Sequence, residues 1–326
     1  MNAGIGIGIV GCGLIGHKRA VNMPPRARLV ACHDIDPRRA ESFGNQFGVD
    51  VAATLDDLVK RDDIQLVIVA TVHDALAELA LQAIDQGKHV LLEKPGANRS
   101  EALLPLRDAA IANGVEVRVG YNHRFHPGLL KLRELVMSGS HGPLLFVRAR
   151  YGHGGRLGYE REWRADRERS GGGQLIDQGS HLIDLVRSLF GEVDLAFAEL
   201  QTAFWDMPVE DNAFVALRPR SGGFAWLHAS WTEWKNIFSF EVMLERAKIE
   251  VNGLGGSYGP ERVTLYEMQP SMGPPPATTW EFPPADLSWH HELVDVLSAV
   301  EGQAAVGASI DDAIATLSLV EEAHRS

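Results

Sequence analysis

Ile5-Gly6-Ile7-Gly8-Ile9-Val10-Gly11-Cys12-Gly13-Leu14-Ile15-Gly16 is a strand of alternating isoleucines that runs straight into the pattern G-x-G-x-x-G, with a helical stretch behind it. The glycines have separate physical duties. Gly11 permits a tight turn, Gly13 lets a pyrophosphate approach the backbone, and Gly16 lets the following helix pack on the sheet. The helix N-terminus adds unpaired N–H groups and a positive dipole end. Gly11, Gly13, Leu14, Ile15 and Gly16 are therefore the expected phosphate-side contacts of a dinucleotide.

The surroundings support that reading. A second strand, from Arg28 to His33, ends in Asp34, 18 residues beyond Gly16 and close to the ~20 expected for a ribose-binding acid. A carboxylate there accepts from a ribose hydroxyl and repels a 2′-phosphate, which favours NAD over NADP. Arg38 and Arg39 argue the other way, but Asp36-Pro37 reads as an N-cap with a first-turn proline, which puts both arginines on a helix surface. Strand and helix patterns then alternate: a buried strand 64–70, a helix 74–86 closed by Gly87, a strand 89–92, a helix 100–113 and a strand 115–119. The alternation predicts an α/β, doubly wound parallel sheet of the Rossmann type. Ligands bind such sheets at the carboxyl ends of the strands, where Gly11, Asp34, Thr71, Glu93 and Lys94 fall.

The whole chain narrows the function classes. Its 326 residues call for two domains, and 45% hydrophobic with 23% charged residues is a soluble globular balance. A formal net charge of -12 argues against nucleic acid, and no apolar run reaches the ~20 residues of a membrane helix. The segment Met1-Asn2-Ala3-Gly4 leads into the first strand without the pattern of a signal peptide, and two cysteines make no disulfide framework. A cytoplasmic location is the expectation.

From about Tyr121 the pattern changes. A helix 127–137 and a strand ending at Tyr151 precede an arginine- and glycine-rich loop and a helix 175–190. Aromatic and β-branched segments follow, and two helices, 290–300 and 311–324, close the chain. The expected division is 1–122 for the dinucleotide domain and 123–326 for an α+β domain on a large, mostly antiparallel open sheet, for substrate binding and oligomerisation. Trp205, Trp226, Trp231 and Trp234 lie in this territory, as core or as an aromatic sheet face that wants covering. A homodimer or homotetramer through that sheet follows.

Several residues have the chemistry for catalysis. Lys94, after the strand His89–Leu92, could steady the oxygen of an alcohol as its carbon loses hydride, or make only a salt bridge beside Pro95. Asp177 and His181, four apart, share a face if the segment is helical, as a proton acceptor with its carboxylate, a surface ion pair, or half a metal site. No third ligand lies at a plausible spacing, so no metal is expected. Asp184, a turn on, is placed to hold the second nitrogen of His181. Between Arg148 and Arg169 stand seven arginines against four acids. Arg156 and Arg164 are candidates to bind an anionic group, with Trp163 stacking on a sugar face, although self-pairing explains the outer arginines. Asn122 and Arg124 begin the interdomain connection and are further substrate candidates. His290-His291-Glu292 reads as the polar start of a helix.

Gly11 to Gly16, the run Gly87 to Pro95 (G-K-H-V-L-L-E-K-P), Tyr121-Asn122-His123-Arg124 and Gly171 to Asp184 (G-G-G-x-L-x-D-x-G-x-H-x-x-D), in this order, resemble the glucose–fructose oxidoreductase / inositol dehydrogenase (Gfo/Idh/MocA) family over nearly the whole chain. The resemblance implies a Rossmann domain, an open-sheet second domain, bound nicotinamide and oxidation of a sugar, cyclitol or nucleotide-sugar hydroxyl. It assigns proton acceptance to His181, stabilisation of the alkoxide to Lys94, and orientation of substrate and base to Asp177. Val72 stands where the family usually has proline, and Leu76 where it often has histidine; neither removes a proton-transfer group. The expectation is an NAD-dependent dehydrogenase of a sugar-type, anionic substrate. A glycosidase that retains NAD and a nicotinamide-sensing regulator are the rivals.

Overall fold

The computed structural model describes residues 4–326; Met1–Ala3, part of the segment read for a signal peptide, lie outside the described residues. The chain forms two compact units, Met1–Asn122 with Trp289–Ala315 and His123–Ser288 with Thr316–Ser326. The expected assignment of 123–326 to one domain is therefore corrected: residues 289–315 fold with the first unit. The cause is visible in packing. Leu293, Val296 and Leu297 of the helix Ser288–Val300 join the core of Ile7, Ile9, Phe43, Ile68 and Leu91, and Ala308–Ser309 adds a strand at the sheet edge.

The first unit's sheet has seven strands, in the order Ala308–Ser309, Val117–Gly120, His89–Glu93, Leu66–Val69, Ile5–Val10, Ala27–His33, Asp50–Val51. Every pairing is parallel except that of Ala308–Ser309. Leu66 to Val69 and Val90 to Leu92 are fully buried, as unbroken apolar strands must be when helices cover both faces. Asp36 caps the helix Pro37–Phe47 through the Arg38 N–H, at 3.0 Å. Leu76, buried in the helix His73–Asp85, packs as core where a histidine would be a misfit.

The second unit carries an eight-stranded sheet: Ala277–Glu281, Arg262–Glu267, Ala247–Asn252, Ile237–Leu244, Leu144–Gly152, Phe224–Ser230, Asn212–Pro219, Val193–Gln201. Only Leu144–Gly152 and Phe224–Ser230 pair in parallel. The edge strand Val193–Gln201 escaped the sequence reading because it is largely exposed and carries Asp194 and Glu199 among its apolar residues. The expected helix 175–190 is two elements, a π-helical turn Leu175–Gly179 and the α-helix Ser180–Phe190. Trp231 is fully buried with Tyr159, Ala165, Met207 and Val209, whereas Trp226 and Trp234 are exposed.

One buried charge cluster ties the first unit together. Arg19 has no exposed surface; it donates to Glu93 at 2.7 Å and to Glu292 at 2.5 Å, and its guanidinium lies 4.6 Å from the Trp289 ring. Two carboxylates thus share one cation. Burial first, and the nearby Glu93 charge, push the Glu292 carboxyl up to about 7 against the pull of Arg19. The folded protein therefore holds this proton more tightly than the unfolded chain does. Stability falls as pH rises from the ordinary carboxylate range through about 7, and the cost is complete above that. Glu292→Gln keeps an acceptor for Arg19 and removes the titration. In denaturant melts, the wild type should lose about 1–3 kcal/mol more than this variant between mildly acidic and mildly alkaline pH. Parallel pH curves for the two proteins would refute the assignment.

Candidate active site

The glycine turn is built as the fingerprint requires. Gly11 has φ +98°, and a Cβ there would meet the Ala70 carbonyl oxygen at 2.4 Å. A Cβ on Gly16 would sit 2.1 Å from the Gly11 oxygen, so only glycine lets the helix Leu14–Val21 approach. Gly13 differs, since a Cβ there would face open space. Backbone laid bare at a helix start fits a pyrophosphate. Leu14 is exposed, Ile15 half-buried.

Asp34 follows the second strand and is 8% exposed. Its carboxylate accepts the Cys12 N–H at 2.8 Å and the Asp36 N–H at 2.9 Å, so it fixes the fingerprint turn itself. Arg39 lies exposed on the helix surface, as expected, and approaches Asp34 to 3.6 Å. Thr71 and Lys94 are half-buried at strand ends, and the Lys94–Pro95 peptide is cis. Glu93, expected among the cofactor contacts, is buried and held by Arg19; it fixes the strand end from which Lys94 projects. Asn122 is buried at the end of the first unit.

In the second unit, His181 is 4% exposed and its ring stacks on His123, centroids 3.8 Å apart, with Tyr151 at 6.1 Å. Asp184, expected behind His181, lies against Arg124. Both of its oxygens take the Arg124 fork, at 2.6 and 2.8 Å, in a pair almost closed to solvent. The same geometry places Arg124, expected to touch substrate, on Asp184: a bidentate carboxylate is its best partner. Asp177 is half-buried in the π-helical turn, so its offset from His181 is not that of an α-helix.

The arginine-rich stretch is largely self-paired. Arg156 is exposed and bonds Glu162 at 2.5 Å. Arg164 lies 3.7 Å from Glu162 and 3.6 Å from Asp177, with its guanidinium 4.6 Å from the Trp163 ring. Of the two candidate arginines, the structure brings Arg164 to Asp177 and leaves Arg156 on Glu162.

Sequence reasoning missed further ring side chains of this unit, one under the charge of Asp177 and one against Tyr151. His153 accepts the Gly155 N–H at Nδ1, 2.9 Å away, so a neutral ring carries its hydrogen on Nε2. Burial pushes the His153 imidazole down, opposed by the charge of Asp177. Tyr258 accepts from Gln178 at 3.3 Å, and its ring lies 5.4 Å from that of Tyr151. Tyr151 and His153, on either side of Gly152 at a strand end, were the available signal.

Residues 5–121 match the family model described as "Oxidoreductase family, NAD-binding Rossmann fold", and residues 129–257 match "GFO/IDH/MocA C-terminal domain". The glucose-6-phosphate 3-dehydrogenase of Bacillus subtilis (strain 168) is 34% identical over 188 residues, 56% of this chain and 53% of that protein. The inositol 2-dehydrogenase of Rhizobium meliloti (strain 1021) is 26% identical over 98% of this chain and 96% of its own length. The chain spans about half the length of the first curated relatives it matches. A levoglucosan dehydrogenase solved with NADH superposes with a TM-score of 0.89 over 99% of this chain and 97% of that one, at 21% identity, which establishes the common fold.

Asp34→Ala removes both the acid and the partner of Arg39. Titration calorimetry should show NAD binding weakened by about tenfold or more, with NADP gaining relative to NAD. An unchanged NAD to NADP ratio would remove Asp34 from cofactor choice.

Proposed function

From the premise that this chain belongs to the Gfo/Idh/MocA family, with an NAD-binding Rossmann unit at its start, we propose that it is an NAD-dependent dehydrogenase of a secondary hydroxyl on a sugar or cyclitol. One observation carries the cofactor half of this reading: the Gly13 cradle opens beside a buried acid that locks its own turn. Bound nicotinamide would supply a hydride acceptor. The names of the relatives, a phosphorylated sugar's dehydrogenase and a cyclitol's, support the substrate class.

The chain's own residues would do the rest. His181 takes the hydroxyl proton, its ring plane held by the stack with His123. Asp177, with Arg164 3.6 Å away, orients the hydroxyl and the base. The Lys94 ammonium steadies the oxygen as negative charge grows on it. An acidic group on the sugar would have to compete with Glu162 for Arg156 and Arg164. The anionic reading therefore rests on Arg164 more than on Arg156. Self-association through the second sheet belongs to the same proposal, since Leu145, Phe197, Phe224 and Trp226 are exposed and the rings of Phe197 and Trp226 stack.

The test is NADH formation with NAD and a panel of neutral sugars, cyclitols, sugar phosphates and sugar acids. Lys94→Ala and His181→Ala should each lower kcat by about 10²–10⁴-fold with NAD affinity kept. Free sugar released without net NADH would favour the NAD-retaining glycosidase, and cofactor binding with no turnover the sensing regulator. If Arg156→Ala and Arg164→Ala both leave KM for the acidic substrates unchanged, the anion reading is finished. Sedimentation should show an oligomer that Trp226→Glu dissociates; a monomeric wild type refutes that part.

A further inference from the structure

Glu210 leads into the strand Asn212–Pro219 and is 7% exposed. Three successive backbone N–H groups end on it: Gly173 on Oε1 at 2.9 Å, Gln174 on the main-chain oxygen at 2.9 Å, and Leu175 on Oε1 at 3.1 Å. These are the first donors of the segment that carries Asp177 and His181, and the first donors of a helix lack partners within it. The approach needs glycine, because a Cβ on Gly173 would lie 2.1 Å from the Glu210 carbonyl oxygen.

The other carboxylate oxygen, Oε2, faces His324 Nε2 at 3.2 Å, while His324 Nδ1 lies 2.9 Å from the Val320 carbonyl oxygen. A carbonyl and a carboxylate only accept. Both ring nitrogens must therefore donate, which makes this imidazole a cation. Burial opposes that charge, but the hydrogen bond and charge of Glu210 outweigh burial and push the His324 imidazole up, against a smaller opposing effect of Arg167 from the short helix Arg167–Ser170.

We propose that His324 and Glu210 are positioning residues: the imidazolium anchors the carboxylate that caps the segment of Asp177 and His181, and removal of its proton loosens that segment's first turn. The consequence for activity rests on the proposed roles of Asp177 and His181; the clamp itself does not. A histidine raised in the folded state stabilises fully below its ordinary range, and that contribution disappears as pH rises through the raised value. The clamp is therefore closed below the ordinary histidine range and opens as pH rises through the raised value.

Hydrogen exchange of amides 173–175 in the full chain with NAD tests this, measured at about pH 6.5 and about pH 9 and corrected for the intrinsic rate. Wild type should lose protection about tenfold at the higher pH. His324→Gln, with a donor that does not titrate, should show the same protection at both, and Glu210→Ala should lose it at both. With the panel compound that gives NADH, kcat should fall along the same alkaline limb in wild type but not in His324→Gln, with KM for NAD unchanged. Protection that is independent of pH in wild type would overturn the proposal, as would a kcat profile that His324→Gln does not alter. His181→Ala should lower kcat by about 10²–10⁴-fold and leave the exchange pattern intact. If kcat is not lowered, the catalytic reading fails while the exchange result still decides the clamp.

Discussion

Arg19 is a guanidinium with no exposed surface, and much of the first unit is arranged around keeping it satisfied. It stands on the helix that begins at the fingerprint glycines, grips the last residue of the strand before Lys94, and reaches a carboxylate on a helix from the far end of the chain. A buried cation is tolerated only when paired, so these three segments cannot separate without exposing an unmatched charge. Gly120 completes the packing: a Cβ there would lie 2.7 Å from an Arg19 nitrogen. The cluster links the cofactor turn to the residue proposed to meet the substrate oxygen.

The second unit uses adjacent acids to hold loops by their amides. Glu210 receives the start of the proposed catalytic segment, and the next residue, Asp211, accepts the N–H groups of Ala203, Phe204 and Trp205 at 2.8 to 2.9 Å. Burial works to raise the Asp211 carboxyl, but those donors together hold it below the ordinary range. Two neighbouring side chains on one extended stretch therefore serve two different loops.

The first sheet was legible because buried parallel strands are unbroken apolar runs and because each fingerprint glycine answers a local steric demand. The second sheet was legible from its aromatic and β-branched strands, except for Val193–Gln201, whose exposure hides its pattern. The return of residues 289–315 to the first unit could not be read locally, since Leu293, Val296 and Leu297 make an apolar face that fits either core. Lys94, Asp177 and His181 could be nominated from motif and residue type. Their supports could not: Glu210 and His324 stand 114 positions apart, and nothing in the chain announces that they meet. The partnership of Arg124 and Asp184 was hidden for the same reason.

The π-helical turn at Leu175–Gly179, which bears Asp177, holds one residue more than an α-helical turn needs and runs into the helix that bears His181. Such a turn acts as a gear of one tooth. Removing a single residue there would restore the ordinary helical phase and swing everything on its N-terminal side by about 100° about the axis, with neither the carboxylate nor the imidazole replaced. The relative bearing of acid and base is thus adjustable by chain length alone. A family built on this segment could reset how its substrates are held through one inserted or deleted residue, a change that comparison of side chains at matched positions would overlook.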